Sequence, residues 1–300
     1  MFLTRLCSGI LLIVLALAFI LTGGPVLAVG LCLISIVAYR ELGKAIGFIS
    51  EDKTKRALEY TGMILTVLYY VGIFFTIEKG RLSPVSAIQA AQLYTEIYMY
   101  RGLAFGIVIS FIIYLFIYVF RFPAYHANEV MTAYFSFLYG PVMLSFLYLI
   151  RDGLYLGKYL VWFVFLCSWG SDTCAYCVGV LFGKHKMTPK LSPKKSVEGA
   201  VGGIVGAALL FALYAYLMEK YFVVTPFWIS IPEAMVLGVV GALVSMIGDL
   251  AASAIKRDHD IKDYGKLIPG HGGIMDRFDS VIVAAPLIFI GLSVIGSIIR

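Results

Sequence analysis

Two carboxylates stand inside long apolar stretches of this 300-residue chain, Asp172 and Asp249. An ionisable side chain at membrane depth is energetically costly and by default marks a functional site; the plainer alternative is a polar pair that only locks two helices together. The neighbours of Asp249 favour chemistry. Asp249, Ser253, Lys256 and Arg257 fall at i, i+4, i+7 and i+8, so one helical stripe presents an acid, a hydroxyl and two cations. Asp276 and Asp279 share a face if a helix begins near them. Three carboxylates drawn together without matching cations repel one another, and a hard divalent cation is the simplest resolution. Oxygen-only ligands suit Mg²⁺, which also takes phosphate oxygens. Zinc is disfavoured, because only His259 and His271 lie nearby and no Cys/His spacing fits.

Between these carboxylates runs Pro269-Gly270-His271-Gly272-Gly273, whose glycines leave backbone N–H groups bare enough to cradle phosphate oxygens. A second Gly/Lys segment, Gly183-Lys184-His185-Lys186 followed by Ser192-Pro193-Lys194-Lys195-Ser196-Val197-Glu198-Gly199, opens another helix. Ser196 is its expected N-cap, and the positive end of that helix favours an anion. Flexible turns and basic loops placed only by topology are the bland readings of the two segments. Taken together, carboxylates for metal, cations for phosphate and bare amides describe phosphoryl or nucleotidyl transfer at a membrane surface.

The elements that must position these residues are membrane spans. Charged residues make up 14% of the chain, hydrophobic residues 61%, and the mean hydropathy is +0.91; a soluble domain carries about 25% charge. A soluble enzyme and a disordered chain are both excluded. The expected fold is an all-α polytopic integral membrane protein of about nine transmembrane helices, near 5–22, 24–39, 60–77, 102–120, 131–150, 159–182, 200–218, 235–255 and 281–299. The first stretch reads as a retained helix, with a signal peptide as the alternative. Lys and Arg number 17 on one side and 7 on the other, which puts the N-terminus in the cytoplasm and the C-terminus outside. Residues 1–158 read as a scaffold of about five helices. Residues 159–300 read as a catalytic region of about four helices with two cytoplasmic loops. Of the 42 charges, 11 lie between Asp249 and Asp279 and six between Lys184 and Glu198. No nucleic-acid partner is expected, since no basic run is interleaved with aromatics. The five cysteines, including the Cys174-x-x-Cys177 pair, read as small buried residues and not as a disulfide framework.

The run Ser253-Ala-Ile-Lys256-Arg257, then Lys262-Asp263-Tyr-Gly265, then Ile268-Pro269-Gly-His271-Gly272-Gly273-Ile-Met-Asp276-Arg277-Phe-Asp279 resembles the signature of the CDP-diacylglycerol synthases, the CTP:phosphatidate cytidylyltransferases. Ser171-Asp172, Gly183-Lys184 and the 192–199 segment are similar to the region upstream of it. The specific similarity covers roughly residues 165–280; the N-terminal half is similar only in being a set of spans.

The resemblance implies Mg²⁺-dependent transfer of CMP from CTP to phosphatidate, giving CDP-diacylglycerol and pyrophosphate. It implies an integral enzyme of a bacterial inner membrane, its active site facing the cytoplasm, in contact with membrane lipid and often a homodimer. On this basis Asp249 and Asp276 are expected as metal ligands, with Asp279 a ligand or the support of one. Lys256, Arg257 and Arg277 would hold phosphates, aided by Ser253, Ser196, Gly272 and Gly273. Lys194 and Lys195 would meet the lipid phosphate or the triphosphate, and His271 a phosphate or the loop itself. Asp172 either binds a second cation or pairs with a lysine; whether a monovalent cation accompanies Mg²⁺ stays open. The attacking phosphate monoester has a second pKa of about 6, so no general base is required. A CTP-dependent lipid kinase is the nearest rival. A CDP-alcohol phosphotransferase would need a D-G-x-x-A-R motif that is absent, and a transporter would leave the Gly- and Lys-rich loops unexplained.

Overall fold

The computed structural model is an all-α polytopic membrane protein with, among the described residues, one short β-hairpin. It describes residues 2–49, 56–81, 88–222, 229–270 and 272–299. In chain order the elements are α1 (Phe2–Thr22), α2 (Gly24–Ile46), α3 (Ala57–Arg81), α4 (Ile88–Phe120), α5 (Ala127–Gly153) and α6 (Gly157–Phe182). The hairpin β1 (Lys186–Thr188) and β2 (Ser192–Ser196) follows, then α7 (Val197–Tyr221), α8 (Ile231–Asp258) and α9 (Met275–Ile299). All nine expected spans are helical. Among the described residues eight, α2 to α9, are long and apolar enough to cross a membrane, and the described apolar part of α1 is the shorter Leu11–Thr22.

The helices are less regular than hydropathy alone suggests. α5 widens into π-helical turns at Leu138–Val142 and Leu149–Gly153, the first holding Pro141, which has no N–H for the helical ladder. α6 widens likewise at Leu166–Gly170, one residue before the turn that carries Asp172. Cys167 is buried, as expected, but Cys174 is only half-buried and Cys177 is exposed; all are free thiols.

The chain forms two compact units: residues 1–158 with 259–277, and residues 159–258 with 278–300. In the first, α2 packs on α3 and α5. Several of its buried hydroxyls find partners inside the protein, where hydrocarbon would offer none. The Tyr39 hydroxyl donates to the Leu58 carbonyl at 2.9 Å and lies 3.1 Å from the Tyr114 hydroxyl. Ser35 bonds Tyr70 at 2.8 Å and Tyr69 bonds Ser145 at 3.0 Å. At the α1–α2 turn, Arg151 donates to the carbonyls of Ile20 and Leu21, and Asp152 accepts from the Gly24 amide at 3.0 Å. These bonds satisfy backbone groups that the two helix ends leave open.

In the second unit α7 packs on both α6 and α8. Small residues allow the close crossing: Gly203 faces Ala175 and Ser171, and Gly199 faces the Ala175 carbonyl. Phe163 meets Phe211 at 4.7 Å between ring centroids and fills the space farther along. Gly248 of α8 fits against α9; a Cβ there would come within 2.9 Å of Val283 and 3.1 Å of the Asp279 carbonyl. That approach sets how closely the two acid-bearing helices can lie.

Candidate active site

In the second unit the charged residues gather where α6, β2, α8 and α9 carry them. Asp249 sits on α8 and pairs with Lys195 of β2, each side chain keeping 25% of its surface exposed. Successive residues of a strand point to opposite faces, and Lys194 is exposed while Lys195 turns to its partner. The half-buried Asp279 carboxylate accepts its neighbour Ser280 amide at 2.8 Å and feels the charges of Asp249, Lys256 and Asp172. Asp172 is exposed on α6, and its charge interacts with Asp249 and Lys195. Ser253 and Lys256 are half-buried along the same helix as Asp249, and Arg257 is exposed. One turn before Asp249, the buried Ser245 hydroxyl finds no hydrogen-bond partner among the described residues. The sequence reading missed Ser245, although its i, i+4 spacing from Asp249 was the available signal.

Glu198, in the first turn of α7, accepts from the amides of Lys184 at 3.1 Å and His185 at 3.2 Å, and meets His185 Nδ1 at 2.6 Å. Ser196 caps α7 as expected, its hydroxyl accepting from the Gly199 amide at 3.1 Å. The positive end of α7 therefore already faces a carboxylate of its own chain.

The Gly-rich segment belongs to the first unit. It closes on itself where the Ile268 amide donates to the Gly272 carbonyl at 2.9 Å. Gly270 and Gly272 take φ of 77° and 88°, the left-handed region that glycine enters without penalty. Asp276 lies beneath, 8% exposed, and its Oδ2 accepts from the Tyr264 amide at 2.8 Å and the Gly273 amide at 3.0 Å. The Gly273 N–H, expected to be bare for phosphate, is thus engaged by Asp276. The buried Arg277 Nε has no hydrogen-bond partner among the described residues. His271 lies outside the described residues.

A second carboxylate reaches this loop from far away in sequence. Glu41 of α2, 8% exposed, accepts the Met275 amide at 2.9 Å. The sequence gives no motif for it, only a carboxylate near the end of a span beside Arg40 and Lys44.

Among the described residues no three His, Cys, Asp or Glu side chains stand close enough to hold a metal ion. The donor chemistry of the second unit nevertheless suits a hard cation: three carboxylates and two lysines act on one another electrostatically, and Ser245 adds a hydroxyl with no hydrogen-bond partner among the described residues. Asp276, by contrast, uses Oδ2 to shape a loop.

A profile of the cytidylyltransferase family matches residues 3–295. The chain is 37% identical over 132 residues to a phosphatidate cytidylyltransferase of Haemophilus influenzae, a match covering 44% of this chain and 45% of that one. It is 34% identical over 132 residues to one of Staphylococcus saprophyticus, covering 44% of this chain and 48% of that one. With one of Mycobacterium bovis it shares 39% identity over 127 residues, 42% of this chain and 38% of that one. The chain thus spans less than half the length of the curated relatives it matches.

Proposed function

The chain belongs to the cytidylyltransferase family, and on that premise we propose that it transfers CMP from CTP to phosphatidate. The observation that carries this reading is the charge cluster of the second unit, where Asp249 pairs with Lys195 and the charges of Asp172, Asp279 and Lys256 act on the same place. A phosphate oxygen of phosphatidate attacks the α-phosphorus of CTP. The bond to the bridging oxygen of the β-phosphate breaks, and CDP-diacylglycerol and pyrophosphate form. The attacking oxygen is anionic at neutral pH, so what the protein must supply is alignment and charge compensation.

The chain's own groups divide that work. Within the second unit Lys195, oriented by Asp249, and Lys256 hold phosphate oxygens; a phosphate-holding role for Arg277, in the first unit, rests on the family resemblance. Asp249 and Asp279 would hold Mg²⁺, which when bound neutralises phosphate charge and polarises the phosphorus. Asp276 keeps the Gly-rich loop in shape through its two amide bonds. The interaction of Asp172 with Lys195 favours the lysine-pairing role over a second, monovalent cation. The excess of Lys and Arg on one side supports a cytoplasmic N-terminus, an outer C-terminus and a cytoplasmic active site in a bacterial inner membrane. A homodimer rests on the family resemblance alone.

Incubating the purified chain with CTP, phosphatidate and Mg²⁺ tests the reading. CDP-lipid and pyrophosphate should form in equal amounts, stop on chelation and resume with added Mg²⁺. Absence of a CDP-lipid product contradicts it.

A further inference from the structure

We infer that Glu41 is a positioning residue for the Gly-rich loop, so that α2 contributes to the reaction through a carboxylate. Three observations carry this. Glu41 is buried in a span, where an ionisable group without a task is costly. Its carboxylate accepts the Met275 amide at 2.9 Å, with the Ile274 amide also within reach, which are the first orphan donors at the start of α9. The loop is shaped to admit it: a Cβ on Gly265 or on Gly273 would collide with the Glu41 carboxylate. Two glycines of the signature run therefore leave room for a side chain contributed by a helix more than two hundred residues earlier.

Glu41 and Asp276 divide the loop's backbone between them. Asp276 takes the amides of Tyr264 and Gly273, and Glu41 that of Met275. Charge-assisted bonds of this kind are roughly twice as strong as neutral ones, and they fix a segment whose glycines would otherwise wander. The loop's task in holding the CTP phosphates rests on the CMP-transfer reading; its anchoring by Glu41 does not.

The test uses the full chain in detergent micelles, with amide hydrogen exchange over residues 273–276 and steady-state kinetics. E41A should speed exchange there by about tenfold or more while the α7 amides stay unchanged. It should lower kcat/KM for CTP by about thirtyfold, with KM for phosphatidate within about twofold. E41Q keeps an oxygen acceptor and should recover to within about fivefold of wild type. G273A, whose Cβ displaces the carboxylate, should copy E41A in exchange. If E41A does not fold, the contrast between G273A and E41Q decides. Unchanged exchange at 273–276 in E41A, or in G273A when E41A is lost, overturns the inference. If the wild type makes no CDP-lipid, the functional reading fails while the exchange data still decide the anchor.

Discussion

Asp249 and Lys195 form an ion pair that solvent still reaches, so its contribution to stability is about 1 kcal/mol or less. On the proposed CMP transfer its contribution to activity should be much larger, because both groups would then stand where two polyanions are brought together. D249N should lower kcat by about a hundredfold or more while leaving the protein extractable and monodisperse on size exclusion. Near-normal turnover in that variant would remove Asp249 from the machinery. At this scale the sequence was informative wherever a charge broke an apolar run, as at Asp172 and Asp249, since hydrocarbon makes such a residue conspicuous. It was uninformative at Glu41, which sits beside Arg40 and Lys44 and reads as an ordinary charge near the end of a span. It also misled at Gly273. A run of glycines reveals that amides are unshielded by side chains, but not that Asp276 engages one of them from three residues on.

The helix is the next scale, and here Gly248 decides the geometry. Because its missing Cβ lets α8 lie against Val283 and the Asp279 carbonyl, G248A should push the two helices apart. Overpacking of this kind costs about 1–3 kcal/mol, and a misplacement of about 1 Å near reacting groups can cost about a hundredfold in rate. Thermal unfolding and kcat measured on the same preparation check both figures. A variant with unchanged kcat would show that the α8–α9 spacing does not govern the site. The spans themselves were legible from hydropathy, and the Ser196 cap from its position just before an apolar run. The π-helical turns of α5 and α6 were not. They depend on how each helix packs and on where Pro141 removes a ladder bond, and hydropathy averages over both.

Over the whole chain, the charge arithmetic makes a topological claim. A single cysteine at Lys190, in a chain otherwise free of cysteine, should react with a membrane-impermeant maleimide only in inside-out vesicles; labelling of intact cells from outside would reverse the orientation. The two units also give the N-terminal half more to do than span the bilayer, since residues 259–277 pack with residues 1–158 and Glu41 grips their backbone. Sequence alone placed the chemistry in the second half because the motifs lie there, and contacts between residues far apart in the chain leave no local pattern. The choice between nucleotidyl transfer and its nearest rival, a CTP-dependent lipid kinase, turns on which phosphorus is attacked. Purified protein given phosphatidate together with diacylglycerol, whose free hydroxyl a kinase would need, and Mg²⁺ with CTP labelled at either the α- or the γ-phosphate distinguishes them directly. CMP transfer predicts α-label in the lipid product and γ-label only in pyrophosphate; γ-label in the lipid, with CDP released, would contradict it.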